Sequence, residues 1–490
     1  MPTIAPKIVI VGGGPVGMTV AHALTKAGID FVLLESRPSI VMAAGASLVM
    51  SQIGLRALSQ FGVLPAIEKA STPLSICKRF DHLGRTIGDT KLFSYLHEKY
   101  SNSMRRVPSS NYCIANTTHS HGCASRVITR RDLMQVLFDA LPVEASSKLL
   151  PNKKVSSLRK TDDGVVVKCT DGTSYEGALV IGADGAYSAV RKHMATMGGQ
   201  QDAQGQEGND EDLPYLTTYR CFWMRFPRLP GIAPGDMTES HGPQATTQYF
   251  ASEDSAVVAV YERLPQPTRR PPRRYSDEDE AAFVARWGHL PLADNPSYRN
   301  AEGIRVLTLG EAYAHRIQTG FINLEEGVVA HWSRGGRAVL VGDAAHKFTP
   351  STGAGCNNGI VDVVVLVNKL HKIFATAAAV GNSSGSVKNN ASVVPEDELA
   401  AAFREYQEAR FDTVTLGCGL SGRATGTASW ATPWAKFMDL YVLSVDLVLR
   451  YFLRWAAAKT ALTPVFDFIE GEDTVVGKYP WVHKIPMPQA

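Results

Sequence analysis

The sequence predicts an α/β fold, in which a parallel βαβ core is interrupted by an antiparallel layer and followed by a helical C-terminal region. Three observations predict it. Residues 7 to 38, KIVIVGGGPVGMTVAHALTKAGIDFVLLESRP, read as strand, glycine turn, helix and strand. Residues 337 to 362, RAVLVGDAAHKFTPSTGAGCNNGIVD, return to a short apolar strand and a second glycine-rich turn. Between them, TTYRCFWMRF, TTQYFA and AVVAVYERL have the composition and alternation of antiparallel strands.

The first stretch has a physical reading. Lys7 to Val11 is a short Ile/Val run suited to a buried parallel strand. Gly12, Gly14 and Gly17 then form GxGxxG. The first glycine permits the tight turn, the second lets a pyrophosphate approach the backbone, and the third lets helix and strand pack closely. The helix expected over Pro15 to Ala27 points its free N–H groups at the phosphates, and Gly28 is a helix stop. Glu35 ends the second strand, Phe31 to Leu34, where a carboxylate accepts hydrogen bonds from the adenosine ribose. Glu35 also disfavours a 2′-phosphate at this site, although Arg37 lies near. This strand–turn–helix–strand–acid unit is Rossmann-like and fits the ADP half of a dinucleotide. The second glycine stretch supplies a place for a flavin, so the pair argues for one FAD threaded through much of the chain.

Composition sets outer bounds. The chain has 490 residues, enough for two domains and a large core. A net charge of +3 gives no reason to expect nucleic acid, and no zinc-finger, RNA-binding or metal-ligand spacing is present. The seven cysteines form no CxxC pair, which suggests reduced thiols in a cytoplasmic setting. The N-terminal apolar run carries the dinucleotide glycines and lacks a basic leader, so it reads as fold and not as a signal peptide.

Further patterns follow in order. ASRVITRRDLMQVLFDAL begins at Ala124, and YEGALVIGADGAYSAVRK, with the pair Asp184–Gly185, begins at Tyr175. The GDAAH run places Asp343 at a strand end, and GASLVMSQIGLRALSQFGVLPAIEK begins at Gly45. With the first glycine stretch, these motifs resemble the single-component FAD-dependent monooxygenases related to para-hydroxybenzoate hydroxylase. They look most like the fungal branch that epoxidises or hydroxylates terpenoid, meroterpenoid and indole-diterpene intermediates. The resemblance covers roughly residues 7 to 370.

The resemblance implies roles, residue by residue. Glu35 binds the adenosine ribose, and Gly45 and Val49 lie beside the ribityl–flavin region. Arg130 reaches the phosphate or ribityl side of FAD. Asp184 and Gly185 belong to a motif associated with both FAD and NAD(P)H, and Asp343 bonds the ribityl chain. The loop Gly353, Ala354, Gly355, Cys356, Asn357 and Asn358 presents N–H groups to the pyrimidine edge. That last role has its own physical basis, because a helix starting after Gly355 stabilises the negative charge of reduced flavin. Cys356 stands where the resemblance suggests a second glycine. It is strained if the backbone there needs a positive φ, and otherwise a plain β-carbon near the flavin.

The implied reaction uses NAD(P)H and O2 to form a flavin hydroperoxide, which delivers oxygen to an electron-rich alkene or arene. Tyr219 and Arg191 are the candidate catalytic residues. Tyr219 either faces the substrate or is a packed strand aromatic, and Arg220 must face the opposite side. Arg191 either meets cofactor or substrate or is structural, and His346 is read as a structural hydrogen-bonding residue.

The organisation implied is 1–75, 126–197 and 331–375 as three parts of an FAD-binding domain, with 76–125 a substrate-side insertion and 198–330 an antiparallel substrate domain. Residues 376–394 form a low-complexity loop and 395–490 a helical region. Residues 96 to 125, 198 to 214 and 265 to 280 also read as insertions or loops. In 435 to 458, AKFMDLYVLSVDLVLRYFLRWAAA, helical spacing sets Lys436, Asp439, Asp446, Arg450 and Arg454 on one narrow face. The segment is too interrupted by charge to span a bilayer. It is either an interfacial helix docked on a membrane or a helix packed over the substrate channel.

The substrate expected is a lipophilic small molecule. The alternatives are a small-aromatic hydroxylase of the salicylate or hydroxybenzoate type and a non-catalytic flavin-binding protein recruited to membranes. A flavin halogenase lacks its WxWxIP segment here, and a two-Rossmann Baeyer–Villiger enzyme lacks a second GxGxxG. Glu35→Ala is expected to lower FAD occupancy of the purified protein, read from its absorbance spectrum.

Overall fold

Short apolar runs that are buried along their whole length can only pair side by side, and here they do. A computed structural model describes residues 7–42, 47–74, 76–90, 123–194, 197, 214–269, 274–294, 306–383, 394–477 and 479–488. Every residue of Ile8–Val11, Phe31–Leu34 and Leu179–Gly182 is buried. Ile8 pairs in parallel with Phe31 on one side and Leu179 on the other. The six-stranded sheet runs Ser333–Arg334, Ala338–Leu340, Leu179–Gly182, Ile8–Val11, Phe31–Leu34, Leu149–Leu150. Only its Ser333–Arg334 edge is antiparallel. The chain leaves Ile8–Val11 toward one side and later returns on the other. The end of that strand is therefore a topological switch point, where α/β sheets open a crevice.

The second large sheet has eight strands, in the order His346–Lys347, Gln318–Val328, Leu216–Pro227, Ser255–Thr268, Ala245–Ala251, Asp236–His241, Ile76–Asp81, Thr86–Thr90. It is antiparallel except where Asp236–His241 meets Ile76–Asp81. Alternation divides its faces. Phe222, Met224 and Phe226 pack with Phe283 and Trp287 of the helix Asp277–Trp287. Tyr219 and Cys221 face the other way, with Tyr261 and Leu324. Arg220 bonds Glu262 at 2.5 Å and lies over the Phe321 ring, on the face opposite Tyr219, as the alternation requires.

A small sheet joins the two parts. Ser47–Met50 pairs with Arg126–Thr129, which runs straight into the helix Arg130–Asp139. Thr129 caps that helix by accepting the Asp132 N–H at 3.0 Å. The long helices Ala354–Ser383 and Glu396–Ala428 pack on each other, and the first also covers Pro15–Lys26.

Three expectations change. The loop expected from 376 is helical as far as Ser383. Of the segment 265–280, the strand continues to Thr268 and a helix begins at Asp277. The helix expected over 435 to 458 is broken into Pro433–Phe437, a π-helical turn Met438–Val442 and Asp446–Thr460. The break turns Asp439 inward, away from the exposed Lys436 and Arg454. The stretches 198–213 and most of 96–125 lie outside the described residues. No described helix is long and apolar enough to cross a membrane.

Candidate active site

The switch point is built of glycines because nothing larger fits. Gly12 adopts φ 104°, and a Cβ there would overlap the Ala183 carbonyl. A Cβ on Gly17 would overlap the Gly12 carbonyl. The first glycine makes the turn, and the third lets the helix Pro15–Lys26 sit against it. Glu35, at the end of Phe31–Leu34, accepts the Gly13 N–H at 2.7 Å and the Arg37 N–H at 2.8 Å. Both carboxylate oxygens are thus fixed beside the glycine turn, with lone pairs remaining for ribose hydroxyls.

A crevice opens here, lined by Gly13, Gly14, Glu35, Arg37 and Arg130 among others. The Arg130 guanidinium stands 3.3 Å from where a Gly14 Cβ would be. It makes no hydrogen bond to any described residue. Burial holds its pKa below the usual arginine value, and the charge of Arg37 adds to that. A partly desolvated cation without a carboxylate partner, next to a helix N-terminus, fits a pyrophosphate.

Arg130 is what relates this crevice to the second glycine stretch. Arg130 lies within charge range of Asp343 and Cys356 as well as Glu35. Asp343 follows the strand Ala338–Leu340 in the turn Gly342–Ala344. Its carboxylate has no hydrogen-bond partner among the described residues, and an oxygen lies 3.7 Å from where a Gly355 Cβ would be. An unpaired acceptor at that point suits a polyol chain. Gly353 takes the left-handed φ of 64° just before Ala354 opens the helix Ala354–Ser383. The free N–H groups of that helix start, with their positive dipole, are where an anionic ring edge is stabilised.

Backbone geometry decides between the two readings open for Cys356. It lies inside the helix, and the positive-φ non-glycine residues described are Asn152, Gln244 and Trp430. Cys356 is therefore unstrained, and the helix begins at Ala354, not after Gly355. Burial pushes its thiol up to about 12, so it is neutral and no nucleophile. Cys123, Cys169, Cys221 and Cys418 are likewise thiols.

Asn357 is a clamp. Its amide donates to the Val49 and Gly353 carbonyls, each at 2.8 Å, and accepts the Ser51 N–H at 3.0 Å. Gly54 leaves it room, since a Cβ there would overlap the amide oxygen. Val49 is thereby held against Gly353. Gly45 lies outside the described residues.

Asp184 caps a helix. It accepts the Ser188 hydroxyl at 2.6 Å and the Ala189 and Val190 N–H groups at 2.7 and 3.1 Å. Gly185, at φ 79°, makes the turn between them, with open space beside it. Arg191 is buried and donates to the Ala344 and Ala186 carbonyls at 2.8 and 2.6 Å, beneath the Tyr215 ring. Those contacts agree with its structural reading, since they hold the turn that carries Asp343.

Tyr219 is 3% exposed and shares a 3.0 Å hydrogen bond with the Ser429 hydroxyl. Burial raises its pKa, so it is a neutral hydroxyl and not a base.

His346 has an acid partner that spacing did not reveal. It bonds Asp362 at 2.5 Å, and Asp362 also takes Arg410 at 2.8 Å and the Gly342 N–H at 3.0 Å. His346 and Asp362 are 0% exposed, so this knot fixes the flavin-side turn to the long helices. Burial alone would raise the Asp362 carboxyl, but the charges of His346 and Arg410 hold it at about 2. Its stabilisation is present above the unfolded value of about 3.9 and is lost as pH falls toward about 2. Asp362→Asn leaves Arg410 buried without its counter-charge. It should lower unfolding free energy by about 3–5 kcal/mol in urea titrations at neutral pH.

A second polar group escaped the sequence reading. Arg79, Glu239, His241, Gln248 and Asp439 meet where the second sheet approaches the flavin-side turn. The alternation of Glu239 and His241 on one strand, and an acid within the apolar run at Asp439, were the available signals.

Comparisons with known proteins agree with this geometry. The FAD binding domain family matches residues 6–209 and 308–381, more than half of the chain. FAD-dependent monooxygenase verC1 of Penicillium polonicum is 30% identical over 433 residues, covering 86% of this chain. The chain spans 47% of that relative's length. FAD-dependent monooxygenase dpchE of Colletotrichum higginsianum is 30% identical over 376 residues, covering 76% of this chain and 72% of the relative. Among solved structures, Klebsiella pneumoniae HpxO complexed with FAD and uric acid matches with TM-score 0.64 at 19% identity, covering 93% of this chain and 96% of that one. The chain belongs to the FAD-binding family of flavoprotein monooxygenases.

Proposed function

We propose that the enzyme uses NAD(P)H and O2 to epoxidise or hydroxylate a lipophilic secondary-metabolite intermediate, of the terpenoid, meroterpenoid or prenylated-aromatic class. The observation that carries the oxidative reading is the continuous line from Glu35 past Arg130 to Asp343 and the start of Ala354–Ser383. Bound FAD supplies hydride acceptance and oxygen activation. The balance is substrate, O2, NAD(P)H and a proton giving oxygenated substrate, NAD(P)+ and water.

The chain's own residues do the rest. The GxGxxG turn and Arg130 hold the pyrophosphate, Glu35 the ribose and Asp343 the ribityl chain. The helix start at Ala354 faces the pyrimidine edge. Tyr219 is a neutral hydroxyl in a buried, largely apolar cluster with Cys221, Tyr261 and Leu324, chemistry compatible with a greasy substrate on that side of the sheet. Arg79, on that side, is neutralised by Asp439 at 3.2 Å, which disfavours a small anionic aromatic acid.

The test is turnover of the FAD-loaded enzyme under 18O2 with prenylated aromatics and polyprenyl alkenes beside salicylate and 4-hydroxybenzoate. One labelled oxygen in a prenylated product supports the reading. Labelled product from the aromatic acids alone would move the enzyme to the alternative class.

The C-terminal segment supports peripheral docking on an anionic bilayer that holds such a substrate. Trp434, Tyr441, Leu447 and Tyr451 are 67, 65, 77 and 76% exposed. Lys436, Arg454 and Lys459 are exposed beside them, while Asp439 is turned inward. Exposed aromatic and basic side chains along one segment match a negatively charged interface. Co-sedimentation with phosphatidylserine-containing vesicles, weakened by Trp434→Ser with Tyr441→Ser, is expected. Binding to neither anionic nor phosphatidylcholine vesicles would remove this part.

A further inference from the structure

The end of the helix Glu396–Ala428 is held in an unfavourable backbone conformation. Trp430 has φ 45°, a left-handed position where glycine usually ends a helix. A bulky aromatic stays there only when its surroundings over-determine it. The surroundings are specific. The Trp430 indole N–H donates to Asp439 at 2.8 Å, and Lys436 lies 4.7 Å over its ring. Asp439, 1% exposed, also accepts Arg79 at 3.2 Å and His241 Nδ1–H at 2.9 Å.

From His241 the contacts continue toward the flavin side. Its Nε2 lies 3.3 Å from Glu239 Oε2. Burial alone would lower its pKa, but the hydrogen bonds and charges of Asp439 and Glu239 raise it to about 9, so both ring nitrogens donate at neutral pH. Glu239 Oε1 accepts the Gln248 amide at 2.8 Å. Gln248 gives its other hydrogen to the Ser351 carbonyl at 2.7 Å, and its oxygen accepts the Tyr261 hydroxyl at 2.9 Å. A flipped Gln248 amide would set its oxygen against the Glu239 carboxylate and the Ser351 carbonyl, so its orientation is fixed. Ser351 belongs to the turn Pro350–Thr352, two residues before Gly353. Side chains of Glu396–Ala428 hold the same turn from the other side, with Thr425 bonding Ser351 at 2.7 Å.

We propose that Gln248 is a positioning residue for the flavin-side loop, and that Asp439 of the C-terminal segment sets it through His241 and Glu239. Seating of that segment is then felt at the cofactor through one buried hydrogen-bond chain. Such a chain is stronger than separate pairs, and breaking it at either end releases the same loop. The inference rests on the loop Gly353 to Asn358 meeting the flavin.

The test is a double-mutant cycle on the full chain with Gln248→Met and Asp439→Asn, both close in shape to the native residues. The probe is FAD, titrated into apo-protein and followed by flavin emission, with thermal unfolding of the apo-protein measured in parallel. Each single substitution should raise the FAD dissociation constant about fivefold, and the double no further than the worse single. Fully additive losses, or lower unfolding temperatures with unchanged FAD affinity, would overturn the proposal. If Asp439→Asn does not fold, His241→Gln breaks the chain in its middle and carries the same expectation. A failure of the flavin reading itself is distinguishable, because wild-type protein would then show no saturable FAD binding.

Discussion

Gly17→Ala should give protein that has lost most of its FAD, with flavin absorbance per chain reduced about tenfold or more at micromolar FAD. The added methyl points into the Gly12 carbonyl, which belongs to the turn leaving the buried strand Ile8–Val11. Neither partner can give way. Gly12 is held by its N–H to the Leu34 carbonyl at 2.8 Å, and Gly17 opens a stretch of helix that is buried at every residue to Leu24. The helix must lift, and its N-terminus then leaves the phosphate position. Overpacking of this kind costs about 1–3 kcal/mol or more. Gly28→Ala is the control. Gly28 has φ 66° with open space around it, so alanine there strains only the backbone and should cost about 1 kcal/mol without releasing FAD. Equal flavin loss in both variants would show that the close approach at Gly17 is not the cause.

Arg130→Met should separate binding from folding. Arg130 has no hydrogen-bond partner among the described residues, and burial already disfavours its charge. Removing the charge should leave apo-protein stability unchanged or slightly higher. FAD affinity should fall by about ten- to a hundredfold, the worth of a charge-assisted hydrogen bond to phosphate. Thermal unfolding of the apo-protein and fluorescence titration with FAD read the two effects apart. A large drop in apo-protein stability would mean that Arg130 is a structural residue.

The cofactor half of the site was legible in the sequence because backbone geometry dictates it. Gly12 and Gly17 must be glycine to avoid carbonyls, and Glu35 must end a strand to face the turn. Those demands are local, so they leave a spacing that can be read. The parallel and antiparallel sheets were legible for the same reason, through burial of whole runs and alternation. Asn357 was read as part of a loop of N–H groups, but its side chain joins Val49, Ser51 and Gly353, and such a clamp has no local signature. No acid or nucleophile at a readable spacing accompanied His346, yet Asp362 reaches it from the helix Ala354–Ser383. The C-terminal break was hidden because the pattern of charges fits one continuous helix. What breaks it is Asp439 being drawn into Arg79, His241 and Trp430, and those partners come from three separate parts of the chain.

The most direct measurement is a titration of purified apo-protein with FAD, followed by absorbance and flavin emission, for wild type beside Arg130→Met and Glu35→Ala. The cradle running from Gly12 to Asn357 predicts saturation at one FAD per chain for wild type and weakened binding in both variants. Wild-type protein that takes up no FAD, or variants that bind as tightly as wild type, would contradict it.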